Sequence, residues 1–183
     1  MTDSSAVQIQ VEPDTPIAGF SRCHVGILSG LATFAELPAL VRAAERARRV
    51  AAATLALFED SILEHHADEE SELFVAVQRS AAAGPESDLV QAMVQRLTSE
   101  HRTIEALWKR VKPGVKLAAS ARAAELDTES LAELVSAYTA HARFEEQEFL
   151  PLAQQILGRD GNHLAALGIA LHLRHVPPPI GYI

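Results

Sequence analysis

The chain has 183 residues, of which 48% are hydrophobic and only 5% aromatic, and a formal net charge of −8. That length gives one domain with a sizeable core, and the abundance of alanine and leucine with so few aromatics points to helices rather than sheets. The negative charge is spread rather than gathered in a tail, which argues against a nucleic-acid surface and an anionic membrane; a single cysteine, Cys23, excludes an intramolecular disulfide and a thiolate metal cage.

The N-terminal stretch MTDSSAVQIQVEPDTP lacks the basic and apolar regions of a signal peptide. No run of apolar residues reads as the roughly 20 residues of a membrane span. The expectation is a soluble cytoplasmic protein, where one unpaired thiol stays reduced.

In chain order, residues 1–15 read as a flexible polar arm. A first helix begins near Pro16, a favourable place for proline at a helix start, and carries Ile17, Phe20, His24, Ile27, Leu28, Leu31 and Phe34 at helical spacing. Pro38 marks a break or kink. A second helix is predicted from about Ala39 to Ser80, with Leu55, Phe58, Ile62, His65, Glu69, Leu73 and Val77 on one face and a charged, solvated opening at Arg42–Arg49. Ala83-Gly84-Pro85 ends it. The third helix, about Glu86 to Lys112, turns Val90, Val94, Leu97, His101, Ile104, Trp108 and Val111 inward and stops at Pro113-Gly114. After a connection over 115–127, Asp127 or Thr128 caps the fourth, which carries Leu131, Leu134, Tyr138, His141, Phe144, Glu145, Glu148 and Leu152 and ends at Gly158 and Gly161. A short helix over about 162–173 and a proline-rich tail follow. The expected fold is all-α: an up-down-up-down antiparallel four-helix bundle over 16–158, with a short C-terminal helical segment in 159–183.

Each long helix carries one histidine in its inward stripe: His24, His65, His101 and His141, at intervals of 41, 36 and 40 residues. In an antiparallel bundle with these at one depth, each turn falls midway between successive histidines. Residue 83, beside Gly84-Pro85, and residue 121, inside the 113–127 connection, satisfy this; the first midpoint, between residues 44 and 45, does not coincide with Pro38. Two histidines open the same phrase, His65-xxx-Glu69-Glu70 and His141-xxx-Glu145-Glu146, and residues four apart share a helix face. Buried carboxylates without a partner are costly, so converging imidazoles and acids point to a cation, as in bundles that hold two metal ions. Imidazole and carboxylate without thiolate suit iron, manganese or zinc; two iron ions are the leading reading, manganese or zinc less favoured.

Around that cluster, Glu105 is a candidate further ligand at the edge of its stripe, and His66 and Glu70 read as supporting or boundary residues about 100° round the helix. Tyr138 stands one turn before His141, either near the site or as packing. Trp108 and Phe144 read as core walls, Cys23 as a small packing residue, Glu72 and Glu146 as solvated, and His163, His172 and His175 as surface residues.

The phrases His65-xxx-Glu69-Glu70-xx-Leu73-Phe74, Glu100-His101-Arg102-xx-Glu105 and His141-xxx-Glu145-Glu146-xx-Phe149-Leu150-Pro151, with His24-xx-Ile27-Leu28-xx-Leu31 before them, resemble the hemerythrin-like HHE cation-binding family over about residues 17–157. The resemblance implies a four-helix bundle around an oxo- or hydroxo-bridged non-haem di-iron centre, with His24 and His65 on one iron, His101 and His141 on the other, and Glu69 and Glu145 bridging. It also implies a small ligand: O2, peroxide or nitric oxide. The oxygen carriers of the family have a histidine where this chain has Glu105, and an aspartate five residues after the last histidine where this chain has Glu145 at four. Redox or peroxide chemistry is therefore expected over reversible oxygen storage. A metal-responsive sensor without turnover is the alternative, and a metal-free helical adaptor the plainest reading.

Overall fold

A computed structural model describes residues 16–159. Six α-helices follow one another: α1 (Pro16–Ala56), α2 (Leu63–Asp68), α3 (Phe74–Ser80), α4 (Pro85–Ala119), α5 (Thr128–Phe144) and α6 (Leu150–Leu157). No strand occurs among the described residues. Three wide π turns, Leu57–Ile62, Glu69–Leu73 and Glu145–Phe149, join α1 to α2, α2 to α3 and α5 to α6. The residues flanking each turn keep right-handed helical torsions, so α1 to α3 share one helical backbone and α5 and α6 another. The predicted arm over 1–15 and the segment from 160 onward, with His163, His172 and His175, lie outside the described residues.

The all-α class is as expected, but the four-helix up-down-up-down count is not. The first two predicted helices are one, because Pro38 lies inside α1. A proline in a helix removes a single intrahelical hydrogen bond and strains the preceding turn. The residues after it, Ala39 to Ala53, contain no glycine, asparagine or aspartate and are rich in alanine, arginine, leucine and glutamate, all strong helix formers. Local propensity outweighs the break.

The chain divides into two compact units, residues 1–45 and 46–183. The described part of the first is helix alone. Its apolar residues, read from sequence as an inward stripe, are exposed: Phe20 by 72%, Leu31 by 56% and Phe34 by 67%. The helical stretch Arg22–Ser80 contains an 18-residue window of mean hydropathy 1.4, none of it buried. By length and composition this helix is apolar enough to cross a membrane, which corrects the expectation that no such run exists.

The second unit holds the core. One apolar cluster joins Ala51, Phe58 and Ile62 to Ile104, Leu107, Trp108, Val111 and Val115 of α4 and Leu134 of α5. The other joins Leu73, Phe74 and Val77 to Val90 and Leu97 of α4 and Phe149, Ala153, Ile156 and Leu157. Rising numbers in one stretch meet falling numbers in α4, so these neighbours are antiparallel. Phe58 stacks on Trp108 with ring centroids 4.1 Å apart.

The connections follow from their residues. Gly84 adopts φ 95°, a torsion that side chains rarely accept, and Pro85 opens α4. Glu86 accepts from the Ala82 N–H at 2.6 Å and from both terminal nitrogens of Arg159, at 2.8 and 2.6 Å. Asp127 caps α5 by accepting from the Ser130 N–H at 2.9 Å. The predicted stop at Pro113-Gly114 is not a stop, since α4 runs on to Ala119. Gly114 serves instead as a close-approach point, where a Cβ would stand 2.7 Å from the Glu125 carbonyl oxygen.

Two stability outcomes are expected. Gly114→Ala pushes the 120–127 connection away and costs roughly 1–3 kcal/mol in urea unfolding. The Arg159 guanidinium and the Ala82 N–H hold the Glu86 carboxyl down to about 2. Its contribution is present above the ordinary carboxylate range and is lost as pH falls toward about 2. Glu86→Gln should lower the melting temperature at neutral pH and flatten its fall across that acid window, read by circular dichroism against pH.

Candidate metal centre

Between the two apolar clusters lies a polar layer. On the first helical stretch Ile62 belongs to one cluster and Leu73 to the other, leaving His65, His66 and Glu69 between them. On α4 His101 lies between Leu97 and Ile104, and on α5 and its π turn His141 and Glu145 lie between Leu134 and Phe149. The expected common depth therefore holds for these residues. His101, His141, Glu69 and Glu145 are buried and His65 is half-buried. His24 is exposed, in the first unit, and belongs to neither cluster of possible ligands found among the described residues.

Two groups of possible ligand atoms form. His66, His101 and His141 make one, and His65, Glu69 and Glu145 the other, each with its atoms within 4.8 Å of one another. The groups touch: Glu69 lies 3.1 Å from His65 Nε2 through one oxygen and 3.3 Å from His101 Nε2 through the other. Glu145 Oε2 is 3.7 Å from His141 Nε2.

His66 departs from its sequence reading. It is 1% exposed, stacked on His101 with centroids 3.9 Å apart and planes within 5°. The sequence reading centred the inward stripe on His65 and so placed His66 at its boundary, whereas Ile62, His66 and Glu69 are buried at ordinary helical spacing. The signal for it was the His65-His66 doublet set ahead of a Glu69-Glu70 doublet. Each doublet of acids opens a π turn, at Glu69 and at Glu145. Such turns often occur at functional sites and change the angle at which successive side chains leave a helix.

Supporting acids set the imidazoles. Glu70 Oε1 lies 2.8 Å from His101 Nδ1, and Glu100 Oε2 3.2 Å from His141 Nδ1. Each contact seats Nδ1 against a carboxylate, an arrangement that turns Nε2 toward the layer. Glu70 is held in turn by Arg102, whose other arm binds Glu105 at 2.7 Å. Glu105 is thus an ion-pair partner, 3.9 Å from His66 Nδ1. Glu100 had no role from sequence, and this contact across 41 positions supplies one.

Burial, then the His101 imidazole, holds His66 down to about 3, so that it stays neutral with a free lone pair. Burial and His101 likewise lower His141. Burial also pulls on His101, but Glu69 and Glu70 outweigh it and raise its value. Burial, reinforced by Glu69, pushes the Glu145 carboxyl well up. Burial opposes ionisation of Glu69 too, yet His101 and the protonated Glu145 hold it down.

Both nitrogens of His66, Nε2 of His101, Nε2 of His141 and Oε2 of Glu69 are buried without a hydrogen-bond partner. Each such group costs about 1–3 kcal/mol. A cation in the layer satisfies them together, so the residues present fit a metal ion. Burial beside Glu69 favours the protonated form of Glu145, so cation binding there competes with a proton. Calorimetric titration with a divalent metal should therefore release about one proton per site and tighten as pH rises, read in two buffers of different ionisation heat. Glu70→Gln should weaken metal binding about 10–100-fold by freeing the His101 ring.

The model of the hemerythrin HHE cation-binding domain matches residues 15–153. No curated protein and no solved structure matches the chain. With most of its length inside that match, including the whole histidine and carboxylate layer, this chain belongs to the hemerythrin HHE cation-binding family.

Proposed function

We propose that the layer holds two non-haem iron ions and that the protein binds or reduces a small oxidant: O2, peroxide or nitric oxide. The observation that carries this reading is the convergence of buried, unpartnered imidazole nitrogens and the Glu69 Oε2 oxygen from three helical stretches on one level. His65, Glu69, His101, His141 and Glu145 serve as ligands as read from sequence, and His66 joins them. His24, the remaining ligand read from sequence, is exposed and outside both ligand groups. Two adjoining ligand groups that share the Glu69 carboxylate suit two ions better than one, and a donor set of imidazole and carboxylate suits iron. Bound there, iron supplies open coordination and electrons to a small ligand.

The chain's own residues prepare that chemistry. Glu70 and Glu100 hold the rings of His101 and His141 in place. Burial beside Glu69 favours a proton on Glu145. Tyr138 packs against His66 and His141, with centroids 6.2 and 5.9 Å away. Burial, then the charges of Glu69 and Glu145, raises its phenol, so it keeps its proton and can donate a hydrogen bond at the edge of the layer. Phe74, at 5.9 Å from His101, closes the other side with carbon.

The alternative, an iron- or oxygen-responsive sensor, draws on the same unpartnered groups: a layer that costly without metal loosens when metal leaves. The setting proposed is the cytoplasm, with Cys23 reduced and a redox partner still to be identified.

Protein expressed in iron-rich medium should carry about two irons per chain by elemental analysis, with ferric absorption in the near ultraviolet. Iron near zero in folded protein would end the di-iron reading. Limited proteolysis with and without metal separates the alternatives: a metal-free protein as resistant as the loaded one counts against the sensor.

A further inference from the structure

Two arginines of α4 each reach a buried imidazole through one carboxylate. Arg102 binds Glu70 Oε2, and the other oxygen of that carboxylate stands 2.8 Å from His101 Nδ1. Arg96 Nε donates to Glu100 Oε1 at 2.7 Å, and Glu100 Oε2 stands 3.2 Å from His141 Nδ1. Every atom of both arms belongs to the second unit.

Ion pairs four residues apart are common on helices, and Arg96 with Glu100 is one. These two arms do more. One carboxylate oxygen goes to the arginine and the other to the imidazole, and this division occurs twice on different backbones. Glu100 lies four positions from its arginine, whereas Glu70 lies 32 from its own. Each guanidinium is also held from a second side. Glu105 accepts from Arg102 at 2.7 Å, and the Phe144 ring centroid lies 3.6 Å from the central carbon of Arg96. Both imidazoles, moreover, belong to the ligand group His66, His101 and His141, which contains no acid, while the other group has Glu69 and Glu145 of its own.

A carboxylate at Nδ1 makes an imidazole a more basic ligand through its other nitrogen, and Nε2 of both His101 and His141 is buried without a hydrogen-bond partner. More basic ligands favour the higher charge on an ion, ferric over ferrous. A guanidinium on the far oxygen draws the carboxylate's charge outward and weakens that push. Glutamate and arginine in each arm therefore act in opposite directions on the same imidazole. Ion pairs of this kind add little to fold stability, so their effect on the layer is separable from folding.

We propose that Arg96 and Arg102 are positioning residues that, acting through Glu100 and Glu70, raise the reduction potential of the iron held by His66, His101 and His141, a role that rests on the iron reading above. The acid-bearing group holds its own ion closer to ferric, so the ion of the histidine group is the first to accept an electron.

Full-length protein at saturating iron is titrated electrochemically, with the loss of ferric absorption in the first reduction step as the readout, beside elemental analysis and thermal melting. Arg96→Gln and Arg102→Gln should each keep their iron and melting temperature. Each should raise the ferric-to-ferrous ratio at a fixed potential about 10-fold, a fall of ~59 mV for one electron. Glu70→Gln and Glu100→Gln should move the potential the opposite way. Arg102→Gln added to Glu70→Gln should change nothing further, because the carboxylate through which it acts is gone. Arg102→Lys, which keeps the charge, should restore most of the original potential. Arg110→Gln, which removes an equal charge from the Glu133 pair on the same helix, is the control and should move it far less. An unmoved potential in iron-loaded arginine variants, an equal shift in Arg110→Gln, or an arginine effect that persists in full without Glu70 would overturn the arms and leave the di-iron reading intact. Unaltered protein that takes up no iron would overturn both.

Discussion

The constraint on which this fold turns is the burial of an ionisable layer inside an apolar interior. His66, His101 and His141 are at most 1% exposed, with Glu69 and Glu145 almost as deeply placed. Water does not reach these groups, and hydrogen bonds satisfy only part of them. Two apolar clusters, one on each side, hold the helices together across that level. Neither cluster is continuous through it. The layer is thus a seam of high electrostatic cost between two ordinary cores, and a cation is the partner whose charge offsets that cost.

The acids outside the seam are as much a part of it as those within. Glu70 and Glu100 each reach a histidine on a different helical stretch, so they tie rotamer to tertiary position. Arg102 anchors Glu70 from the solvent side while also holding Glu105. A change at this exposed arginine is therefore transmitted through one carboxylate to a buried imidazole.

Much of the second unit was legible in the sequence. The stripe Phe58, Ile62, Leu73 and Val77 and the stripe Val90, Leu97, Ile104, Trp108 and Val111 are buried as their spacing required. Gly84-Pro85 and Asp127 mark their boundaries because each residue has a definite backbone or capping role. What was not legible has definite causes. Pro38 reads as a break in isolation, but the helix formers that follow it decide the outcome. Pro113 and Gly114 failed as a stop signal because the glycine answers to a chain segment that passes beside it, not to its own helix. The inward position of His66 has ordinary helical spacing, four residues after Ile62 and three before Glu69, but a stripe centred on His65 hides it.

The wide turns at Glu69 and Glu145 carry a consequence for how the protein tolerates change in chain length. Each accommodates one residue more than an ordinary turn would. Deleting a residue there would restore regular pitch but rotate everything downstream by about 100°. Leu73 and Phe74, or Phe149 and Ile156, would then swing from the lower core toward solvent. The spacing that aims a carboxylate thus also sets the phase of the hydrophobic packing beneath it, so insertions and deletions in either acidic doublet strike chemistry and stability at once.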